Sequence, residues 1–379
     1  LGINITGMRL RRLHILLGLI VVLFFCCCKR NIQPVIEVER VQIELEQDRQ
    51  VALKDICSGI ELIPLETSDS ILLSYVYPMV YNHQYFFRQN NPAQVTCFDS
   101  AGHFVYRINN EGRGDGEYVS INGIAGNLYV PELYLLETLD CIDLYDLKGH
   151  MQQKIRLDSV RGILQHLVPL NRDTLLIVSG RSDYQYHFYS IKENRVFARK
   201  ADWIPEVTRP GSFFRMGNQW YHYNDQMVYE LRDTSFFPFL QFDFGAYNNT
   251  PDNYAKFRRL EKEGEENVVF EGKFNILNVV QGNEHYWFLR VILGSGKEWK
   301  ARSVLYDRRT QQSYVFETLK EGFGWGDFDL LMENDLMSLY TPLELKEIIS
   351  EDMLDEKNRE IFQTIKTDDN PVVVRFKLK

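Results

Sequence analysis

Three stretches of this sequence combine residue types that could do chemistry. In Gly112-Arg113-Gly114-Asp115-Gly116-Glu117-Tyr118, glycines alternate with Arg113, Asp115 and Glu117. Such a loop can bend sharply and offer both signs of charge to a polar ligand. It lacks the Gly-Lys-Ser/Thr ending of a phosphate-binding loop, and the competing reading is a turn that needs positive φ at several glycines. In Gly322-Phe323-Gly324-Trp325-Gly326, followed by Asp327 and Asp329 around Phe328, Trp325 could stack on a sugar ring. Core packing accounts for the same aromatics. Asp140, Asp143 and Asp146 recur every third residue. A calcium loop needs alternate acids and a glycine at its sharp turn, so these three read as solvated strand-edge carboxylates.

The remaining titratable residues offer less. There is no His-Glu-x-x-His, no histidine pair at metal-ligand spacing and no Gly-x-Ser-x-Gly elbow, so no catalytic residue and no cofactor is assigned. A metal ion or a His/carboxylate set assembled in a central channel from separate strands would be invisible to local spacing. Cys57, Cys97 and Cys141 have no CxxC spacing and sit in strand-like stretches, which predicts buried free thiols. The net charge of −9 excludes a nucleic-acid partner, which would require a basic stripe to displace counterions.

The elements that must position these residues are announced by a repeat. Phe98-Asp99-Ser100-Ala101-Gly102-His103 returns 47 residues later as Tyr145-Asp146-Leu147-Lys148-Gly149-His150, and weaker copies begin at Tyr189, Tyr229 and Tyr306. An aromatic and an Asp end one strand, the glycine supplies positive φ, and alternating apolar residues begin the next strand. A period of this size predicts an array of β-units. His103 and His150 obey the repeat, which makes their role structural. Asn90-Asn91-Pro92, Asn122-Gly123 and Asp173-Thr174 read as further turns. The last long gap holds an insertion, with a surface helix expected from Thr250-Pro251-Asp252 through Glu266. Thr341-Pro342-Leu343-Glu344 is a capping box ahead of Leu345, Ile348 and Ile349, and a second amphipathic segment covers about 353–365. The apolar run Val372-Val373-Val374 near the C-terminus predicts a strand that closes a ring with the N-terminal repeat, removing an exposed sheet edge.

At the N-terminus, Met8-Arg9-Leu10-Arg11-Arg12 and the apolar run from Leu13 to Phe25 read as a targeting segment, with Leu1–Gly7 an over-extended start. The run meets Cys26-Cys27-Cys28, which resembles the lipobox of bacterial lipoproteins; lipidation is expected at Cys26, Cys27 or Cys28. An uncleaved anchor is the alternative, although the run is shorter than the roughly 20 residues a spanning helix prefers. Residues 1–28 are thus a signal or lipoprotein segment, 29–50 a tether with a first strand near Val35–Glu39, and 51–379 the β-array.

Four further motifs, Ile60-Glu61-Leu62-Ile63-Pro64-Leu65-Glu66-Thr67, Gly112–Tyr118, Met227-Val228-Tyr229-Glu230 with Phe242-Asp243-Phe244-Gly245, and Asn370-Pro371-Val372-Val373-Val374, give the chain a family likeness. It resembles the six-bladed β-propeller lipoproteins abundant in Bacteroidetes, differing at Asp115, where that family usually has Pro. The resemblance implies an all-β six-bladed propeller with a few short helices and an envelope location, and it carries over no catalytic residue. The expected role is a membrane-tethered, non-enzymatic binding or scaffolding protein for a glycan, peptide or envelope protein, using Arg113, Asp115, Glu117 and Trp325. The alternative is a propeller lyase or hydrolase with a channel metal ion. Surface lipoproteins of this phylum commonly carry acids soon after the lipidated Cys; here Lys29-Arg30-Asn31 follow, so a periplasm-facing and an outer-membrane-surface placement both stand.

Overall fold

Each of the five phrases forms the hairpin between the third and fourth strands of an antiparallel sheet. The computed structural model describes residues 38–47, 50–74, 76–114, 116–138, 140–160, 162–180, 183–201, 213–250, 252–253, 270–296, 298–324 and 326–379. The chain divides into Leu1–Glu39 and Arg40–Lys379, and the second unit carries the sheets. Strands β1 (Glu39–Gln42) and β2 (Cys57–Pro64) precede the first blade. Blade 1 is β3 (Val76–Tyr81), β4 (Gln84–Asn90), β5 (Ala93–Phe98) and β6 (Phe104–Ile108). Blade 2 is β7 (Ile121–Asn127), β8 (Glu132–Glu137), β9 (Cys141–Asp146) and β10 (Met151–Arg156). Blade 3 is β11 (Ile163–Pro169), β12 (Thr174–Gly180), β13 (Tyr186–Ser190) and β14 (Arg195–Lys200). Blade 4 is β15 (Phe213–Met216), β16 (Gln219–Asn224), β17 (Met227–Arg232) and β18 (Ser235–Asp243), with β1 added at its outer edge. Blade 5 is β19 (Phe270–Gly282), β20 (Tyr286–Gly296), β21 (Glu298–Asp307) and β22 (Gln312–Phe316). Blade 6 is β23 (Leu330–Leu331), β24 (Asp335–Tyr340) and β25 (Val372–Leu378), completed by β2.

The first strands of successive blades lie beside one another, as β3 with β7, β7 with β11, β15 with β19 and β19 with β23, which makes them the inner ring of a six-bladed propeller. The core is divided accordingly. Six apolar clusters each fill one junction between blades, with Phe86 meeting Leu133, Tyr134 meeting Leu167, Val178 meeting Leu231, Val228 meeting Trp287, Phe288 meeting Phe376, and Met337 meeting Phe87. Because both faces of a blade are covered, middle strands are continuously apolar, as in Leu175-Leu176-Ile177-Val178, instead of alternating.

In blades 1 and 2 the repeat phrase holds the outer hairpin and brings it against the preceding blade. The Asp99 carboxylate accepts hydrogen bonds from the Ala101 and His103 amides, both at 2.9 Å, and Asp146 accepts from Lys148 and His150 at 2.9 and 2.8 Å. The imidazole Nδ1 of His103 lies 3.2 Å from Asp99 and that of His150 3.1 Å from Asp146, so both histidines serve the turn. Gly149 has φ +83°, and a Cβ there would sit 2.5 Å from the Tyr106 ring of blade 1; one at Gly102 would strike the carbonyl of Pro64 in β2. One expected turn is absent: Asn122-Gly123 lies inside β7, where the Asn122 amide reaches the Leu164 carbonyl of blade 3.

Ring closure follows the sequence expectation. β25 pairs antiparallel with β24 on one side and with β2 on the other, in register from Cys57↔Leu378 to Pro64↔Val372. Asn370, only 2% exposed, pins the connection from β2 to blade 1: its amide nitrogen donates to the Glu66 and Ile71 carbonyls, at 2.7 and 2.5 Å, and its oxygen accepts from the Leu73 amide at 2.8 Å. Outside β2 lies a helical cover. The capping box forms as expected on α2 (Pro342–Ile348), after the short α1 (Leu53–Ile56), and α3 (Glu356–Thr364) lays Asn358 against the β2 edge, accepting the Leu62 amide at 2.8 Å. The insertion helix expected from Thr250 to Glu266 lies largely outside the described residues.

Replacing Asn370 leaves buried backbone groups without partners, so Asn370→Ala is expected to lower the unfolding free energy by about 3 kcal/mol. Gly149→Ala combines positive φ with a clash and is expected to cost about 2 kcal/mol. Urea denaturation of both variants checks these values.

Candidate functional site

In every blade the connection to the next blade and the hairpin between the second and third strands emerge at the same end of the inner strands, here called the connection face. Arg113 and Glu117 lie there, in the link from β6 to β7. Asp115, Trp325 and the three candidate lipidation sites, Cys26, Cys27 and Cys28, lie outside the described residues. The structure brings Arg113 and Glu117 to one loop and gives them different roles. Glu117 folds back over its own loop and accepts the Gly114 amide at 2.6 Å, while Arg113 forms no ion pair among the described residues; both residues are exposed. The glycines work differently from the sequence expectation. Only Gly116 takes positive φ, at +76°; at Gly112 and Gly114 it is the Glu117 carboxylate that occupies the space a side chain would need.

Beneath this loop is a charged cluster that the sequence reading missed. Lys154 pairs with Glu137, approaches Asp143 at 3.2 Å and donates to the Glu117 carbonyl at 3.0 Å. Glu137 is 3% exposed and Asp143 is fully buried, which corrects the expectation of a solvated strand-edge carboxylate. Burial, reinforced by repulsion from Glu137 and opposed by Lys154, pushes the Asp143 carboxyl up to about 7. The missed signal was the register of the repeat hairpin, which sets Lys154 of β10 opposite Asp143 of β9. The cluster anchors a loop; a carboxyl enclosed in this way has no path to a substrate. Ser179 and His187 are likewise a buried pair, 2.9 Å apart, with no opening for chemistry.

The aromatic segment after Gly322 packs. Phe323 and Phe328 are buried against Phe376 with edge-on rings, and Asp327 accepts the Tyr340 hydroxyl at 3.0 Å while Asp329 accepts the Leu339 amide at 3.1 Å. Cys57 and Cys97 are buried free thiols, raised to about 12 chiefly by desolvation, and Cys141 is a partly buried free thiol.

Along the inner ring the chemistry is sparse and cationic. The six inner strands contain one histidine, His166, and one acid, Glu271, in the stretch of β19 that extends past the other inner strands. Arg88, cross-strand partner of Tyr77, stacks its guanidinium 4.2 Å from that ring and donates to the Ile121 carbonyl of blade 2 at 2.6 Å. Arg215 of β15 is exposed, as is Tyr129 in the hairpin between β7 and β8. Desolvation by the surrounding protein lowers the pKa of Arg88, Arg215 and His166. Among the described residues, no three His, Cys, Asp or Glu side chains come together as metal ligands.

Comparison with known proteins adds a family. A family model described as a domain of unknown function (DUF4934) matches residues 34–377, and the chain belongs to that family. It is similar in structure to a candidate exported protein of Bacteroides fragilis, with a TM-score of 0.70 and 16% identity over 90% of this chain and 99% of the other. A member of the DUF4221 family from Bacteroides vulgatus gives a TM-score of 0.49 at 6% identity, covering 85% of this chain and 97% of that one. No curated protein matches the sequence.

The enclosed Asp143 has a pH consequence. Its folded pKa lies above that of the unfolded carboxyl, near 3.9, so the native state binds the extra proton between about pH 4 and pH 7 and stability falls as pH rises through that window. Asp143→Asn should remove this fall: relative to the unsubstituted protein, the variant gains roughly 2 kcal/mol or more between pH 5 and pH 8, read by urea denaturation at the two pH values.

Proposed function

We propose that this propeller is a non-enzymatic binding protein of the cell envelope, tethered by a lipidated N-terminal cysteine and engaging a glycan, peptide or protein through its connection face. The observation that carries this reading is the distribution of exposed apolar side chains. Among the described residues, Leu72, Tyr77, Val119, Ile163, Tyr184, Trp299 and Leu343 are exposed at or beside the connection face, Trp299 at 46%, whereas Leu128 and Tyr129 are exposed at the tip of an inner hairpin and Val105, Phe197 and Phe237 on outer strands. Large apolar side chains gathered on one face, with charged residues such as Arg113 among them, favour an interaction surface. Inner strands with one histidine and one acid give a channel hydrolase or lyase little to work with. Export of the structural relative from Bacteroides fragilis supports the envelope placement.

The test is a thermal-shift panel of glycan fragments and short peptides. A ligand at one hundred times its dissociation constant adds about 2.7 kcal/mol, so a hit raises Tm in the unsubstituted protein. Ile163→Ser with Trp299→Ala should abolish that rise while the variant still unfolds cooperatively; a rise that survives both substitutions contradicts the use of this face. For the tether, labelled palmitate should enter the full chain in cells, and substitution by Ala at one of Cys26, Cys27 and Cys28 should abolish incorporation.

A further inference from the structure

We infer that the Lys154 amine condenses with the Asp143 carboxyl, assisted by Glu137, and joins β9 to β10 by a side-chain amide. The inference concerns a covalent modification of the chain itself and is independent of any ligand.

The three residues stand on neighbouring strands and share one face. Lys154 of β10 is the cross-strand partner of Asp143 of β9, and Asp143 is the partner of Leu135 of β8, two residues before Glu137. Alternation along the strands puts all three side chains on the side of blade 2 that meets blade 1, where Leu133, Leu135 and Tyr145 pack with Tyr118. Glu137 and Asp143 are buried there. Lys154 reaches them from the rim, and its Nζ pairs with Glu137, lies 3.2 Å from Asp143 Oδ1 and donates to the Glu117 carbonyl at 3.0 Å. The contact with Asp143 lacks hydrogen-bond alignment, and both of its carboxyl oxygens stay unsatisfied. The carboxyl carbon is one bond beyond that contact, so nucleophile and electrophile are held together with the orientation that lets an intramolecular reaction replace a bimolecular one.

The protonation states suit a condensation. An ionised carboxylate repels a nucleophile and offers no leaving group, whereas the acid can lose water. Burial and the neighbouring Glu137 favour the acid form of Asp143. Against the desolvation of its site, hydrogen bonds and attraction from Glu137 and Asp143 keep Lys154 an ammonium, so the first move is transfer of its proton to the Glu137 carboxylate. The freed nitrogen pair then attacks the Asp143 carbonyl carbon, and the C–N bond forms as the C=O pair moves onto oxygen. One of the two remaining nitrogen protons passes to the hydroxyl, the C–O bond breaks as the carbonyl re-forms, and one water leaves. Glu137 is left holding the ammonium proton, and nothing is oxidised or reduced. The product exchanges two buried charges for a neutral amide and keeps one N–H for the Glu117 carbonyl, which fastens the loop that carries Arg113. The pH window described above belongs to the chain with the free carboxyl; condensation removes it.

The test is mass spectrometry of the denatured full chain at isolation and after incubation at about pH 6, where the acid form of Asp143 prevails. The expected intact mass is lower than the sequence mass by one water. Trypsin cuts after Lys148 but not after an acylated Lys154, so the bond should appear as a branched peptide joining 114–148 to 149–156. Lys154→Arg keeps the charge and should keep the full mass. Asp143→Asn keeps the shape of the site and should lose one ammonia in place of water, and Glu137→Gln should slow the loss about a hundredfold or more. An unchanged intact mass after incubation overturns the inference. So does water loss without the branched peptide, which a succinimide at Asp115-Gly116 would give, or an undiminished rate in Glu137→Gln.

Discussion

The pairing of β2 with β25 is the constraint on which the rest of the structure depends. Each of the six apolar clusters lies between two blades, so no blade buries both faces unless it has a neighbour on each side. Blade 6 lacks an outer strand of its own, and β2 provides it from the opposite end of the chain. The same strand then presents Pro64 to the Gly102 hairpin of blade 1, and the following turn is held by Asn370. One strand thus completes a sheet, receives the next blade and fixes the connection between them. The N-terminal segment extends the closure: β1 lies on blade 4, Gln47 reaches Ser313 of blade 5, and the Lys320 amide donates to the Val51 carbonyl before the chain enters β2.

A closed ring also determines where ligands can go. Outer strands and hairpins are spent on packing between blades, leaving the connection face and the central channel as the places where side chains are released from structural duty. The division of charge agrees with this. Some carboxylates in the fold are tied to turn amides, as Asp99 and Asp146 are, and others are enclosed with a cation, as Glu137 and Asp143 are with Lys154 and Asp335 is with Arg375. Hydrogen bonds from turn amides hold the Asp146 carboxyl below the usual range, and burial lifts that of Asp143 above it. Arg88 of β4 follows neither pattern, its guanidinium being held by the Tyr77 ring, the Asn90 side chain and the Ile121 carbonyl.

Much of the architecture was legible in the sequence, because its cause is local. The Asp-x-x-Gly-His turn is fixed by short-range hydrogen bonds and one backbone conformation, so it reveals the third-to-fourth hairpin wherever it recurs, and Thr341-Pro342-Leu343-Glu344 reveals a helix for the same reason. Asn122-Gly123 misled because glycine there serves an inner strand instead of a turn. The candidate site was harder to read, since its geometry comes from residues far apart in sequence. Arg88 is an ordinary strand residue until blade 2 places the Ile121 carbonyl beside it. Asp143 is the intermediate case: its partner Lys154 lies eleven residues on, across a hairpin the repeat had already announced.

The most direct test of the central claim is native-state amide hydrogen exchange along β2 and β25. If closure by this pair holds the ring, the amides of Ile60–Ile63 and Val372–Phe376 exchange only through global unfolding, at the same free energy as those of Leu175–Val178 in the middle of blade 3. Exchange in β2 and β25 at markedly lower free energy, with blade 3 still protected, would show that the ring stands without its closure and would contradict the account.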